Sequence, residues 1–195
     1  MSGYDEFLKA TTTMPPVPNT DSLRQIVEIL ITDEEAGLLA KLPMAPMGDS
    51  AEKISKKTGI ELEKVTSMLE GLADKGMVYA RKKGDQQFYA AIPIFPGWAE
   101  IQLMKGGYDT KSKRFAELFH QYQNEGFSQA FVDRISTALM RTIPVQQEIP
   151  AGQNIETYEK IKELIIASPR KGLATCFCRH EKELIGKGCG RPKDV

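Results

Sequence analysis

Residues 51–91 read AEKISKKTGIELEKVTSMLEGLADKGMVYARKKGDQQFYAA, and this stretch decides the fold. Asp49-Ser50-Ala51-Glu52 supplies an N-terminal cap for a helix that runs through Lys57, and Thr58-Gly59 supplies its stop. A second helix follows from Glu61 to Lys75, with Leu62, Val65, Met68, Leu69 and Leu72 on one side and Gly76 ending it. Two short helices joined by a glycine turn make a helix-turn-helix. Met77–Arg81, the turn Lys82-Lys83-Gly84-Asp85 and Gln86–Ala91 then read as strand, turn and strand, which is a wing.

Through this pattern the segment resembles the winged-helix domains of bacterial and archaeal regulators. The resemblance implies a second helix that faces the major groove and a wing tip that reaches phosphate or the minor groove. The residues that would do so are Lys64, Thr66 and Ser67 on the helix and Arg81, Lys82 and Lys83 on the wing. Charge on the helix opposes this role, because Glu61, Glu63, Glu70 and Asp74 stand against only Lys64 and Lys75. A winged helix that docks protein or serves a structural role fits that charge better.

Upstream, Thr32-Asp33-Glu34-Glu35 has the form of a capping box, followed by Ala36, Leu38, Leu39 and Leu42 as the buried set of a short helix. Before it, Leu23, Ile26, Val27 and Leu30 share one helical face, with Asp21 or Ser22 as the cap. Residues 1–20 contain Pro15, Pro16 and Pro18, which predict an arm without regular helix.

Downstream, Pro93 and Pro96 exclude a central strand, and Ile94, Phe95, Trp98, Ile101, Leu103 and Met104 offer a dense apolar set for the core or for a second subunit. Phe115, Leu118, Phe119 and Tyr122 mark a helix that ends before Gly126, and a short helix follows from Phe127. His120 reads as a surface or packing residue. Residues 141–149 read as extended, Asn154 caps a helix whose apolar face is Ile155, Tyr158, Ile161, Leu164 and Ile165, and Ser168-Pro169 ends it. Gly172–Thr175 then forms an extended lead into Cys176.

All three cysteines of the chain, Cys176, Cys178 and Cys189, lie in the final segment among Gly, Arg and Lys. A C-x-C pair with a third cysteine shortly after suggests thiolate ligation of a metal or cluster. Arg179, Lys182, Lys187 and Arg191 are expected to favour thiolate, and Gly186, Gly188 and Gly190 to let backbone N–H groups turn toward sulfur. Two other readings stay open. An ordinary strand would put Cys176 and Cys178 on one buried face. Alternatively, the three thiols with His180 could hold tetrahedral zinc.

C-x-C-R at Cys176, Cys178 and Arg179, with G-C-x-x-P at Gly188, Cys189 and Pro192, resembles a family of bacterial and archaeal iron-sulfur proteins that carry an N-terminal winged helix. The resemblance implies a 4Fe-4S cluster ligated by Cys176, Cys178 and Cys189, with Arg179 at its rim and a ferredoxin-type domain following. The chain stops at Arg191-Pro192-Lys193-Asp194-Val195 and looks cut, so a fourth ligand is expected beyond Val195. Until then the site is expected to hold an incomplete cluster, zinc with His180, or nothing.

Composition sets the remaining bounds. Twenty-six basic and twenty-six acidic side chains cancel, with eight acidic against three basic residues in 1–49 and nine basic against six acidic in 155–195. No apolar run reaches membrane-spanning length and the N-terminus has no signal-peptide pattern, so a cytoplasmic protein is expected. No G-x-S-x-G, Walker A, H-E-x-x-H or G-x-G-x-x-G motif is present, so catalysis on an organic substrate is not expected.

The fold expected is α+β with helix dominating, divided into an arm at 1–20, a winged helix at 21–92, a helical linker region at 93–140 and a cysteine-bearing segment at 141–195. That last unit is expected to be a strand-helix-strand with the cysteines at the end of its second strand. The first functional expectation is the front portion of an iron-sulfur protein of electron transfer or redox sensing, meeting a redox partner protein or its own ferredoxin domain. The alternative is a DNA-binding winged-helix regulator with redox- or metal-sensing cysteines. A homodimer is expected in either case.

Overall fold

The computed structural model describes residues 1–13, 17–133 and 157–193. It is mainly helical, with one two-stranded antiparallel sheet. The elements in order are α1 (Gly3–Thr13), α2 (Asp21–Leu30), α3 (Asp33–Leu39), α4 (Ala51–Thr58), α5 (Leu62–Asp74), β1 (Val78–Lys83), β2 (Gln86–Ala91), α6 (Ala99–Met104), α7 (Thr110–Tyr122), α8 (Ser128–Asp133), α9 (Tyr158–Ala167) and α10 (Phe177–Leu184).

The helix-turn-helix and wing form as their local chemistry dictates. Ser50 caps α4 by accepting from Lys53 N, and Gly59 closes it in the left-handed region at φ 74°. Helix α5 buries Val65, Leu69 and Leu72 completely. Strands β1 and β2 pair from Val78↔Ala91 to Lys83↔Gln86, joined by the turn at Gly84-Asp85. The outer side of β2 is bridged by residues 43–49: Ala91 N donates to Pro43 O at 2.8 Å, and Asp49 and Tyr89 exchange backbone bonds at 3.0 and 2.9 Å.

The capping box of α3 is complete, with Thr32 accepting from Glu35 N and the Glu35 carboxylate accepting from Thr32 N. That carboxylate also receives the Lys75 ammonium at 2.6 and 2.7 Å, which ties α3 to the end of α5. Burial raises the Glu35 pKa, but the bonds from Lys75 and Thr32 outweigh it and leave the group below the usual range.

The core is continuous from the winged helix into a second helical layer. Leu23, Ile26 and Val27 of α2 meet Phe119 and Tyr122 of α7, and Trp98 is wholly buried ahead of α6. The Tyr122 hydroxyl donates to Pro18 O at 3.0 Å.

Four expectations change. The arm expected over 1–20 is helical over Gly3–Thr13: α1 packs on α3 and buries Phe7 and Leu8, because the prolines all lie beyond its last turn. Thr20, rather than Asp21 or Ser22, caps α2. Thr157 caps α9; Asn154, Ile155 and residues 141–149 lie outside the described residues. The expected buried face of α9 is exposed, with Tyr158 at 77%, Leu164 at 56% and Ile165 at 55%.

Candidate nucleic-acid interface and thiol segment

The side chains of α5 and the wing border a cleft of about 990 Å³ with Ala51 and Glu52 of α4 at one end. Thr66, Glu70 and Asp74 enter it from α5, and Lys82, Lys83 and Asp85 from the wing. Of the expected contact residues, Lys64 is taken by an ion pair with Glu34 of α3, and the Thr66 hydroxyl donates back to Leu62 O at 2.8 Å. Ser67 is exposed. Arg81, Lys82 and Lys83 are exposed and make no ion pair with a described residue. The cations available to phosphate therefore lie on the wing, while Lys64 and Lys75 bind α3.

The thiol segment departs from its expected form. Cys176 is the N-cap residue of α10, so Cys178 and His180 ride a helix and not a strand. Phe177, His180, Glu181 and Leu184 form the inward face of α10, which packs against α6 and α7. Cys178 points out and is exposed, as is Cys189. Spacing hid this helix, since a C-x-C pair alternates on a strand; the i, i+3, i+4, i+7 spacing of Phe177, His180, Glu181 and Leu184 is the signal that would reveal it.

Helix α10 ends with Gly186 N donating to Glu183 O and Lys187 N to Lys182 O, a Schellman arrangement around the left-handed Gly186. The Gly186 N–H is thus engaged by the helix and not turned to sulfur. The chain then folds back. Cys176 N donates to Lys193 O at 2.6 Å, Arg179 bonds Pro192 O, and Lys193 pairs with Glu183. Cys189 and Arg191 line the resulting groove.

Three findings bear on the expected cluster. His180 is 1% exposed and its Nε2 meets Gly107 O at 2.9 Å, so its ring is turned into the protein core. The Cys178 thiol, though exposed at the surface, is held above its usual range by partial desolvation and then by Cys176, Glu181 and Glu100. No three His, Cys, Asp or Glu side chains among the described residues are arranged to hold a metal ion. In this conformation His180 is held by Gly107 O and Arg179 by the Pro192 carbonyl, so neither is free for the role expected of it.

His120, read as a surface or packing residue, joins α7 to α10. Its Nδ1 lies 3.5 Å from the buried Glu181 carboxylate and 3.1 Å from Lys182 Nζ.

No helix among the described residues is long and apolar enough to cross a membrane. Comparison of the chain with curated proteins and with solved structures gives no match. Residues 31–94, from Ile31 through α3, the helix-turn-helix and the wing to Ile94, match the family described as sugar-specific transcriptional regulator TrmB, and the geometry over that span is a winged helix.

Proposed function

We propose that the protein is a transcription regulator that binds duplex DNA through its winged helix and acts as a homodimer. The observation that carries this reading is the coincidence of the regulator-family match at 31–94 with a complete helix-turn-helix and a wing whose Arg81, Lys82 and Lys83 carry no ion pair with a described residue. The acidic α5 shapes the mode of binding: affinity comes from the wing on phosphate, while Ser67 approaches the groove as a neutral donor and Thr66, whose proton is given to Leu62 O, as an acceptor.

The two wings of a homodimer bring six cations to the duplex, three from each. The slope of log K against log salt is expected to be about −5, at roughly −0.9 per phosphate contact, and each Lys→Gln change at Lys82 or Lys83, present in both subunits, reduces its magnitude by about 2. Anisotropy titrations of a labelled duplex at low salt measure this. Absence of binding at about 50 mM salt, or binding indifferent to the wing variants, overturns the reading.

A second reading concerns the thiols. Cys178 and Cys189 are free and exposed, and the fold-back of residues 189–193 onto Cys176 supports a sensor in which oxidant or metal acts on this segment. Thiol titration with and without oxidant, read against DNA affinity, tests it; an affinity that is unchanged on oxidation removes the sensor.

A further inference from the structure

Between the end of α2, α6, the first turn of α7 and α10 lies a pocket of about 240 Å³, apart from both the wing cleft and the thiol groove. Leu30, Leu103 and Phe115 give it an apolar lining, and Lys105, Asp109, Lys111 and His180 bring polar groups to it.

Charge here is unbalanced. Asp109 is the one carboxylate lining the pocket, and it is engaged as the cap of α7, accepting from Ser112 N at 2.7 Å. Lys105 donates to Lys75 O at 3.0 Å, at the end of α5. Burial, and then the nearby Lys111, hold the Lys105 ammonium below the usual lysine range. Lys111 is exposed; its backbone N–H bonds to the Asp109 carboxylate, and its ammonium charge acts on that carboxylate without a direct ion pair among the described residues. Two cations thus face one lining carboxylate, the capping Asp109, at the border of an apolar pocket, with Asp74 acting on Lys105 from the end of α5.

His180 supplies an independent observation. Its Nε2–H donates to Gly107 O, which leaves Nδ1 a bare acceptor, and that atom is buried without a partner. A buried acceptor in a pocket wall calls for a donor, and a ligand hydroxyl is one.

We propose that this pocket binds a small organic anion, a carboxylate or a phosphate ester bearing a hydroxyl, with its charge on Lys111 and its carbon body against Leu103 and Phe115. The volume lies below the roughly 300 Å³ at which drug-sized sites begin, so the ligand has only a few carbons.

The test is a ¹H–¹⁵N NMR titration of the full chain with lactate, with glycerol 3-phosphate and with inorganic phosphate. Saturable shifts confined to residues 102–112, 180 and 184 are expected with one of the two organic anions, and the responding one identifies the carboxylate or the phosphate source. Lys111→Gln, at an exposed position, should weaken that binding by about tenfold while leaving the other resonances in place. No saturable shift with either organic anion, shifts elsewhere, or equal affinity in Lys111→Gln overturns the proposal. So does inorganic phosphate binding as tightly as the responding anion, which would make this a bare-ion site. DNA plays no part in this readout, so the proposal fails or stands apart from the regulator reading.

Discussion

Glu35 does two jobs with one carboxylate: it completes the cap of α3 and it receives Lys75 from the end of α5. Glu35→Gln separates them, because glutamine also serves at the third position of a capping box while the charge is lost. A destabilisation of about 1 kcal/mol is expected at pH 7, read from the urea midpoint. The sign of its pH dependence follows from the depressed carboxyl. Its contribution is complete above the unfolded value of about 4.3 and is lost as pH falls through the lower folded value, so the gap between wild type and variant should narrow as pH falls below about 4.3. A gap that stays constant as the protein is acidified would refute the charge assignment.

At the scale of elements, the turn between α4 and α5 sets how the two helices present themselves. Gly59 holds φ 74° with open space where a Cβ would lie, so Gly59→Ala carries backbone strain without a clash. It should cost about 1–2 kcal/mol with an unchanged denaturant slope, and a neutral result would show that the turn relaxes. This turn was legible in the sequence, as were the capping box at Thr32, the wing and α7, because each depends on residues within a few positions of one another. Elements shaped by distant partners were less legible. Helix α1 follows no signal stronger than the nearby prolines, and only its packing on α3 shows which side of Pro15 the helix occupies. The inward face of α10 contains a histidine and a glutamate, and polar identity concealed a helical period that an apolar pair would have announced. The exposed face of α9 shows the converse: apolar spacing reports a helix and not what covers it.

For the whole molecule, α10 decides what the three thiols can do together. Its register turns His180 to Gly107 and Cys178 outward, and no group of three or more candidate ligands forms among the described residues. Anaerobic reconstitution with iron and sulfide should give labile, substoichiometric absorption, and His180→Ala should leave that signal unchanged. A stable cluster at full iron stoichiometry would require this segment to refold and would overturn the geometry described for α10.

The wing has a further property that follows from its asymmetry. Residues 43–49 cover the outer side of β2, while β1 borders no other strand among the described residues and is exposed from Tyr79 to Lys83. An open strand edge is a template on which another chain can zip, and closely spaced positive charges are a standard way to keep it from doing so. Arg81, Lys82 and Lys83 therefore guard this edge in addition to the phosphate contact proposed for them. Replacing all three with valine would convert the hairpin into a self-association site, so charge removal and aggregation are chemically linked at this one strand.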